Sequence, residues 1–283
     1  MSKRTVQGII GAMPASDGAG VKLMRSLGQS QTARLDPFLM LDCFSSEEAG
    51  DYIAGFPAHP HRGFETVTYM LDGHMRHQDH LGNVGELRSG GAQWMTAGRG
   101  IIHSEMPQQE SGRMRGFQLW INLPAAEKMK PAFYRDIQAG DIPVARLADG
   151  GKVKVIAGKS QGVAGAISGI TTQPLMIDVD LPAGRSFTQL LPEGHNAFVY
   201  PFEGKVAIAG RSVAVNQAAI LSPGTEIEIA AEDGPARFLV LAAKPLREPV
   251  VQYGPFVMNS REEIERAIHD YQTGRFVEAS PSA

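Results

Sequence analysis

Short apolar runs separated by glycine and polar turns recur along the whole chain. Thr66-Val67-Thr68-Tyr69-Met70-Leu71 is rich in β-branched and aromatic residues and ends at Asp72-Gly73, which predicts a strand closing on a hairpin. Residues 118–123 form a second such run, stopped by Pro124, and further strands are expected over 174–181, 197–202 before a Glu203-Gly204 turn, 212–215 and 237–242. Strands at this spacing, with turn chemistry between them, predict a sandwich or barrel. One helix is predicted near the C-terminus. Ser260-Arg261-Glu262-Glu263 is a capping box, Ile264, Ala267, Ile268 and Tyr271 then share a face, and Gly274 supplies the stop.

A faint internal repeat divides the chain. Tyr69-Met70-Leu71-Asp72-Gly73 leads, 25 residues after Gly73, to Gly98 in Trp94-Met95-Thr96-Ala97-Gly98. Tyr200-Pro201-Phe202-Glu203-Gly204 leads, 20 residues after Gly204, to Gly224 in Ile220-Leu221-Ser222-Pro223-Gly224. Both read as strand, acidic-Gly turn, strand and a polar turn ending in glycine, as two copies of one β-barrel unit would. Residues 124–154, rich in Pro, Gly, Asp and Lys, mark the junction. The expected domains are 1–135 and 136–283, with the helix belonging to the second.

Composition narrows the classes. The 283 residues include 32 glycines and 18 prolines, together above the average share of roughly 12%, which favours many tight turns and an all-β fold. A net charge of -3 and no basic block argue against a dedicated nucleic-acid binder. The single cysteine, Cys43, excludes an intramolecular disulfide, a cysteine-based zinc finger and an iron–sulfur cluster, and reads as a buried apolar residue between Asp42 and Phe44. No run approaches the 18 or so apolar residues of a membrane span. The opening MSKRTVQGIIGAMPA, broken by Gln7, Gly8 and Gly11, reads as a first strand and not a signal peptide. A cytoplasmic monomer without a membrane partner is expected.

The histidines carry the chemistry. His59-Pro60-His61 and His103-Ser104-Glu105 each place two donors at i and i+2, on one face of a strand. The 42 residues from His61 to His103 leave room for three or four strands, so a jelly-roll barrel can set the two pairs side by side. Three imidazoles and a carboxylate would then converge on one divalent transition metal. Iron(II) suits that donor set, with nickel, cobalt, manganese, copper or zinc as alternatives. A rival set, His74, His77, Asp79 and His80, follows the Asp72-Gly73 turn and reads as an exposed hairpin arm. Glu65 would be a fourth ligand if the site followed the commonest barrel pattern of its kind, and is kept as a residue able to orient a ligand imidazole. His195, in a loop, and His269, on the helix, read as structural or solvated. The repeat offers a control: counting from its landmarks, Leu190, Pro192, Ile229 and Ala231 stand where His59, His61, His103 and Glu105 stand in the first copy, so the second barrel should be metal-free.

Several long motifs coincide with one family. AHPHRGFETVTYML from Ala58, GAQWMTAGRGIIHSEMP from Gly91, GFQLWINLP from Gly116, DPFLMLDCF from Asp36 and GPFVMNSREEIERAI from Gly254 together resemble the pirin family of bicupins. The resemblance implies two tandem cupin barrels, an N-terminal one that binds iron through His59, His61, His103 and Glu105, and a C-terminal one without metal. It implies an activity like that of quercetin 2,3-dioxygenase. The 3-hydroxyl of a flavonol would meet the metal as an oxyanion, Glu105 would serve as ligand and general base, and ring opening by dioxygen would release carbon monoxide. Phe44, Met95, Gln118 and Trp120 are candidates for the pocket wall, with ordinary core packing as the alternative for each. The alternative that the family offers is an iron-dependent, redox-responsive binding protein with a protein partner, akin to a transcription cofactor. An isomerase or another substrate on the same barrel is a third reading, because fold alone does not fix function.

Overall fold

The computed structural model describes residues 2–30, 32–148 and 150–277. It is mostly β, 55% strand, with one short helix near the C-terminus. The chain forms two compact units, but not by a single cut near 135. One comprises residues 14–25, 38–139 and 246–283, and the other 1–13, 26–37 and 140–245. The ends of the chain therefore trade places relative to the domains expected at 1–135 and 136–283. The strand Val6–Gly11 pairs with the edge strand Gln217–Leu221 of the later barrel, and the C-terminal helix packs on the earlier one. Edge pairing satisfies the strand's backbone, and an apolar helix stripe needs a partner surface, so neither end stays with its neighbours in sequence.

The earlier barrel consists of two sheets. Its four-stranded sheet runs Phe56–His61, Ile101–Pro107, His74–Asp79, Val84–Arg88. Its seven-stranded sheet runs Phe133–Ile137, Ala92–Thr96, Phe64–Asp72, Met114–Asn122, Phe38–Ser46, Val21–Arg25, Met13–Asp17. Asp72-Gly73 proves not to be a hairpin. Phe64–Asp72 lies in one sheet and His74–Asp79 in the other, so Gly73, at φ 113, is the corner where the chain crosses between them. The repeat obeys the same rule. Asn196–Ile208 is one continuous strand with register shifts at Pro201/Glu203 and Glu203/Lys205, so the expected Glu203-Gly204 turn is a bend within a strand. Gly204 has φ 66, and a Cβ there would stand 2.3 Å from the Pro235 carbonyl oxygen, which leaves glycine as the residue that fits.

The helix, Arg261–Gln272, forms as its sequence predicts. Ser260 accepts from the Glu263 amide, and the Glu263 side chain accepts from the Ser260 amide. Ile264 and Ala267 are buried against Phe256, Met258 and Phe276. Arg62, next to His61, ties this cluster to the barrel: Nη1 meets Asp270 Oδ2 at 2.7 Å, and its guanidinium lies 4.4 Å from the centre of the Phe276 ring. A buried lysine adds a second tie. Lys128 Nζ donates to Gly63 O, Asn122 Oδ1 and Val257 O at 2.8, 2.7 and 2.9 Å, and burial lowers its pKa to about 8.

Candidate metal centre

Strand register assembles the site. Phe56–His61 and Ile101–Pro107 are antiparallel neighbours, with His103 directly opposite His59 and Ile101 opposite His61. The i, i+2 spacing then puts His59, His61 and His103 on one face. Their ring centroids are 4.6, 4.5 and 5.0 Å apart. Ligand atoms of all three lie within 4.8 Å of one another, the one group of three or more such donors among the described residues.

The protonation states suit a cation. His59 Nδ1 lies 2.8 Å from the Pro57 carbonyl oxygen, which can only accept, so Nδ1 carries the proton and Nε2 presents its lone pair. That Nε2 is 2.9 Å from Nε2 of His61. Burial holds His59 below the usual histidine range and His61 and His103 well below it, with neighbouring imidazoles adding to the effect. His61 Nδ1 and both ring nitrogens of His103 are buried without a hydrogen-bond partner. The Nε2 lone pair of His59 and the unpartnered nitrogens of the adjoining His103 are costly to leave unused unless something accepts their lone pairs. A divalent metal held by His59, His61 and His103 fits that requirement.

Glu105 is buried on the same strand but turned aside from the three-nitrogen group. Its Oε1 accepts from Thr68 Oγ1 at 3.2 Å and lies 3.4 Å from His77 Nε2. Burial raises its pKa to about 7. The shift across one bulge, between His103 and Glu105 against His59 and Phe56, accompanies this change of direction.

The rival set is not an exposed arm. On His74–Asp79 the side chains alternate, with Met75, His77 and Asp79 buried, because the strand is an inner member of the four-stranded sheet. Its four donors do not form one site. His74 pairs with Glu86. Asp79 Oδ1 accepts from the amides of Leu81 and Asn83 at 2.9 Å each, closing the turn. His80 Nδ1 lies 3.4 Å from the Ile102 amide. Only His77 reaches the centre, its ring 6.1 Å from that of His103 and its pKa lowered to about 3 by burial and by His59.

Sequence reasoning set His77 in the rival group rather than at this site, and missed Phe64 and Thr68. The alternation of Met75, His77 and Asp79 was the available signal for His77. Phe64 stands 5.1 Å from His61, ring to ring, and Trp120 stands 5.3 Å from it. Gln118 shares the Thr68 hydroxyl with Glu105, at 2.5 Å. Trp120 and Gln118 thus lie at the site, as expected, whereas Phe44 packs with Val21, Leu23 and Met70, and Met95 packs with Ala97 and Ile101. Glu65 lies on the other sheet, where its Oε1 accepts from Thr96 Oγ1 at 2.7 Å and stands 3.7 Å from Lys130 Nζ. Cys43 is buried, and burial raises its thiol to about 11.

In the later barrel, register corrects the sequence count. Ser186–Leu190 pairs with Glu226–Ala243 so that Phe187 faces Ile229 and Gln189 faces Ile227. Judged against His59 opposite His103 and His61 opposite Ile101, the counterparts of His59 and His61 are Phe187 and Gln189, not Leu190 and Pro192. Ile229 and Ala231 are taken as the counterparts of His103 and Glu105, as the repeat sets them. No imidazole or carboxylate stands at these four positions.

Comparison with known proteins places the chain. The family model described as Pirin matches residues 20–121, and the Pirin C-terminal cupin domain matches 176–277. A Pseudomonas aeruginosa protein named "Putative quercetin 2,3-dioxygenase" is 57% identical over 92% of this chain and 94% of its own length. A "Pirin-like protein" of Caulobacter vibrioides is 49% identical over 98% of this chain and 100% of its own. A crystal structure titled quercetin 2,3-dioxygenase from Acinetobacter baumannii superposes with TM-score 0.90 at 35% identity, covering 98% of this chain and 100% of that one.

Proposed function

The chain belongs to the pirin family, and on that premise we propose that it is a metal-dependent oxygenase of the quercetin 2,3-dioxygenase type. The observation that carries this reading is the group of three neutral imidazoles, His61 and His103 buried and His59 half-buried, with the buried Glu105 on the same strand as His103. His59, His61 and His103 would hold iron(II) or a similar divalent ion, with Glu105 as a fourth ligand when it turns toward them. When bound, such an ion supplies Lewis acidity toward a flavonol 3-hydroxyl and open positions for substrate and dioxygen.

The protein's own residues do the rest. Glu105, whose carboxyl is held up near 7 by burial in the metal-free protein, is the group on that strand that would take the hydroxyl proton. Thr68 donates to its Oε1 from behind. Trp120, beside His61 and packed on the buried Phe64, offers a flat apolar face for an aromatic ring system and keeps water away. The overall reaction consumes one dioxygen and releases one carbon monoxide for each flavonol ring opened.

Iron-loaded protein is titrated with quercetin under anaerobic conditions, then exposed to oxygen, with flavonol absorbance and carbon monoxide followed together. Loss of absorbance with matching carbon monoxide is expected. Full metal occupancy without either would overturn the enzyme reading and leave the redox-responsive binding role, whose partners would differ between the two oxidation states.

A further inference from the structure

Among the described residues the later barrel has no cluster of metal donors, yet it keeps an opening. A cleft of about 900 Å³ is lined by Leu175, Leu190, Leu191, Pro174, Pro192 and His195, with Lys159, Gln189 and Glu226 also on its wall. That volume is in the range of small-molecule sites, which are mostly apolar with a few placed polar groups. The cleft includes the strand that corresponds to the one bearing His59 and His61, and Gln189 is the counterpart of His61. Gln189 is itself fixed: its Oε1 accepts from Ser160 Oγ at 2.7 Å, and its Nε2 donates to the Lys159 and Leu190 carbonyl oxygens.

Two observations point to an occupant. Leu190 is 60% exposed in this cleft, a large apolar side chain whose neighbours Leu175 and Leu191 are buried. His195 is 8% exposed, and its Nδ1 has no hydrogen-bond partner. Charge narrows the class. Lys159 is exposed with no ion pair among the described residues, and Arg4 and Lys244 impose a positive field on His195, against the single carboxylate Glu226. Arg4 is locked in place by the Gly224 and Pro192 carbonyls at 2.9 Å each.

We propose that the second barrel is a binding module whose cleft takes a small organic carboxylate with a ring-sized apolar body, the ring covering Leu190 and the carboxylate facing Lys159 and His195. The proposal is independent of the reaction assigned to the first barrel. It is tested on the metal-loaded, full-length protein with 8-anilinonaphthalene-1-sulfonate as a fluorescent aromatic anion, then by displacement with benzoate and with uncharged benzyl alcohol. Saturable binding of one probe per chain is expected, with benzoate displacing it at about tenfold lower concentration than benzyl alcohol. Leu190→Asp should weaken the probe about tenfold or more, and Lys159→Gln should erase the advantage of benzoate. Both side chains are exposed, so neither change threatens folding. Absence of binding, binding unchanged by Leu190→Asp, or equal displacement by the acid and the alcohol would each overturn the proposal.

Discussion

His103→Leu separates the metal reading from ordinary packing, because it should stabilise the metal-free protein while removing most of the stability that metal adds. His103 is 2% exposed, and neither ring nitrogen has a hydrogen-bond partner. A buried polar group left unsatisfied costs about 1–3 kcal/mol, and leucine, of similar volume, removes that cost with little cavity. The metal-free variant should therefore gain about 1–3 kcal/mol, or a few degrees in Tm at roughly 2–4 °C per kcal/mol. In the wild type, a ligated ion at a hundred times its Kd adds about 2.7 kcal/mol. The variant, with one of three imidazoles missing, should lose most of that increment. The assay is thermal unfolding followed by tryptophan fluorescence, with and without iron(II) under anaerobic conditions. The chain has two tryptophans, Trp94 and Trp120, both in the unit that carries the site, so the signal reports on that barrel. A metal-free variant that melts below wild type and still gains stability from iron would refute the reasoning.

Other substitutions address the surrounding structure. Glu105 has a folded pKa raised to about 7, so its contribution to metal-free stability is fully present below about 4.5 and lost as pH rises through 7. Metal affinity should run the other way, rising through pH 7, and Glu105→Gln should flatten both profiles in a pH series of melts and metal titrations. Gly63→Ala would place a Cβ 2.0 Å from the Val257 carbonyl oxygen at φ 89, so a loss of about 1–3 kcal/mol and weaker metal uptake through the adjacent His61 are expected by melting and metal analysis. Ser260→Ala removes the cap that binds the Glu263 amide and should cost about 1 kcal/mol, seen as faster hydrogen exchange in the first helical turn with the metal site unchanged.

The sequence by itself determined the local chemistry. Two His-x-His/Glu pairs at strand period, a capping box at Ser260 and a tandem β-barrel pattern are readable because each depends on neighbours a few residues apart. Tertiary structure decided what depends on pairing. Whether Asp72-Gly73 closes a hairpin or turns a corner is set by which sheet receives His74–Asp79, and the same choice moved His77 from a presumed surface arm to the wall of the site. The counterparts of His59 and His61 in the later barrel followed from cross-strand register, which differs from counting along the chain because bulges and unequal loops shift alignment without changing inward alternation. The termini were assigned to opposite barrels for a related reason. Hydrogen-bonding edges and apolar stripes are satisfied by whatever surface is close in space, and the order of residues does not specify that surface.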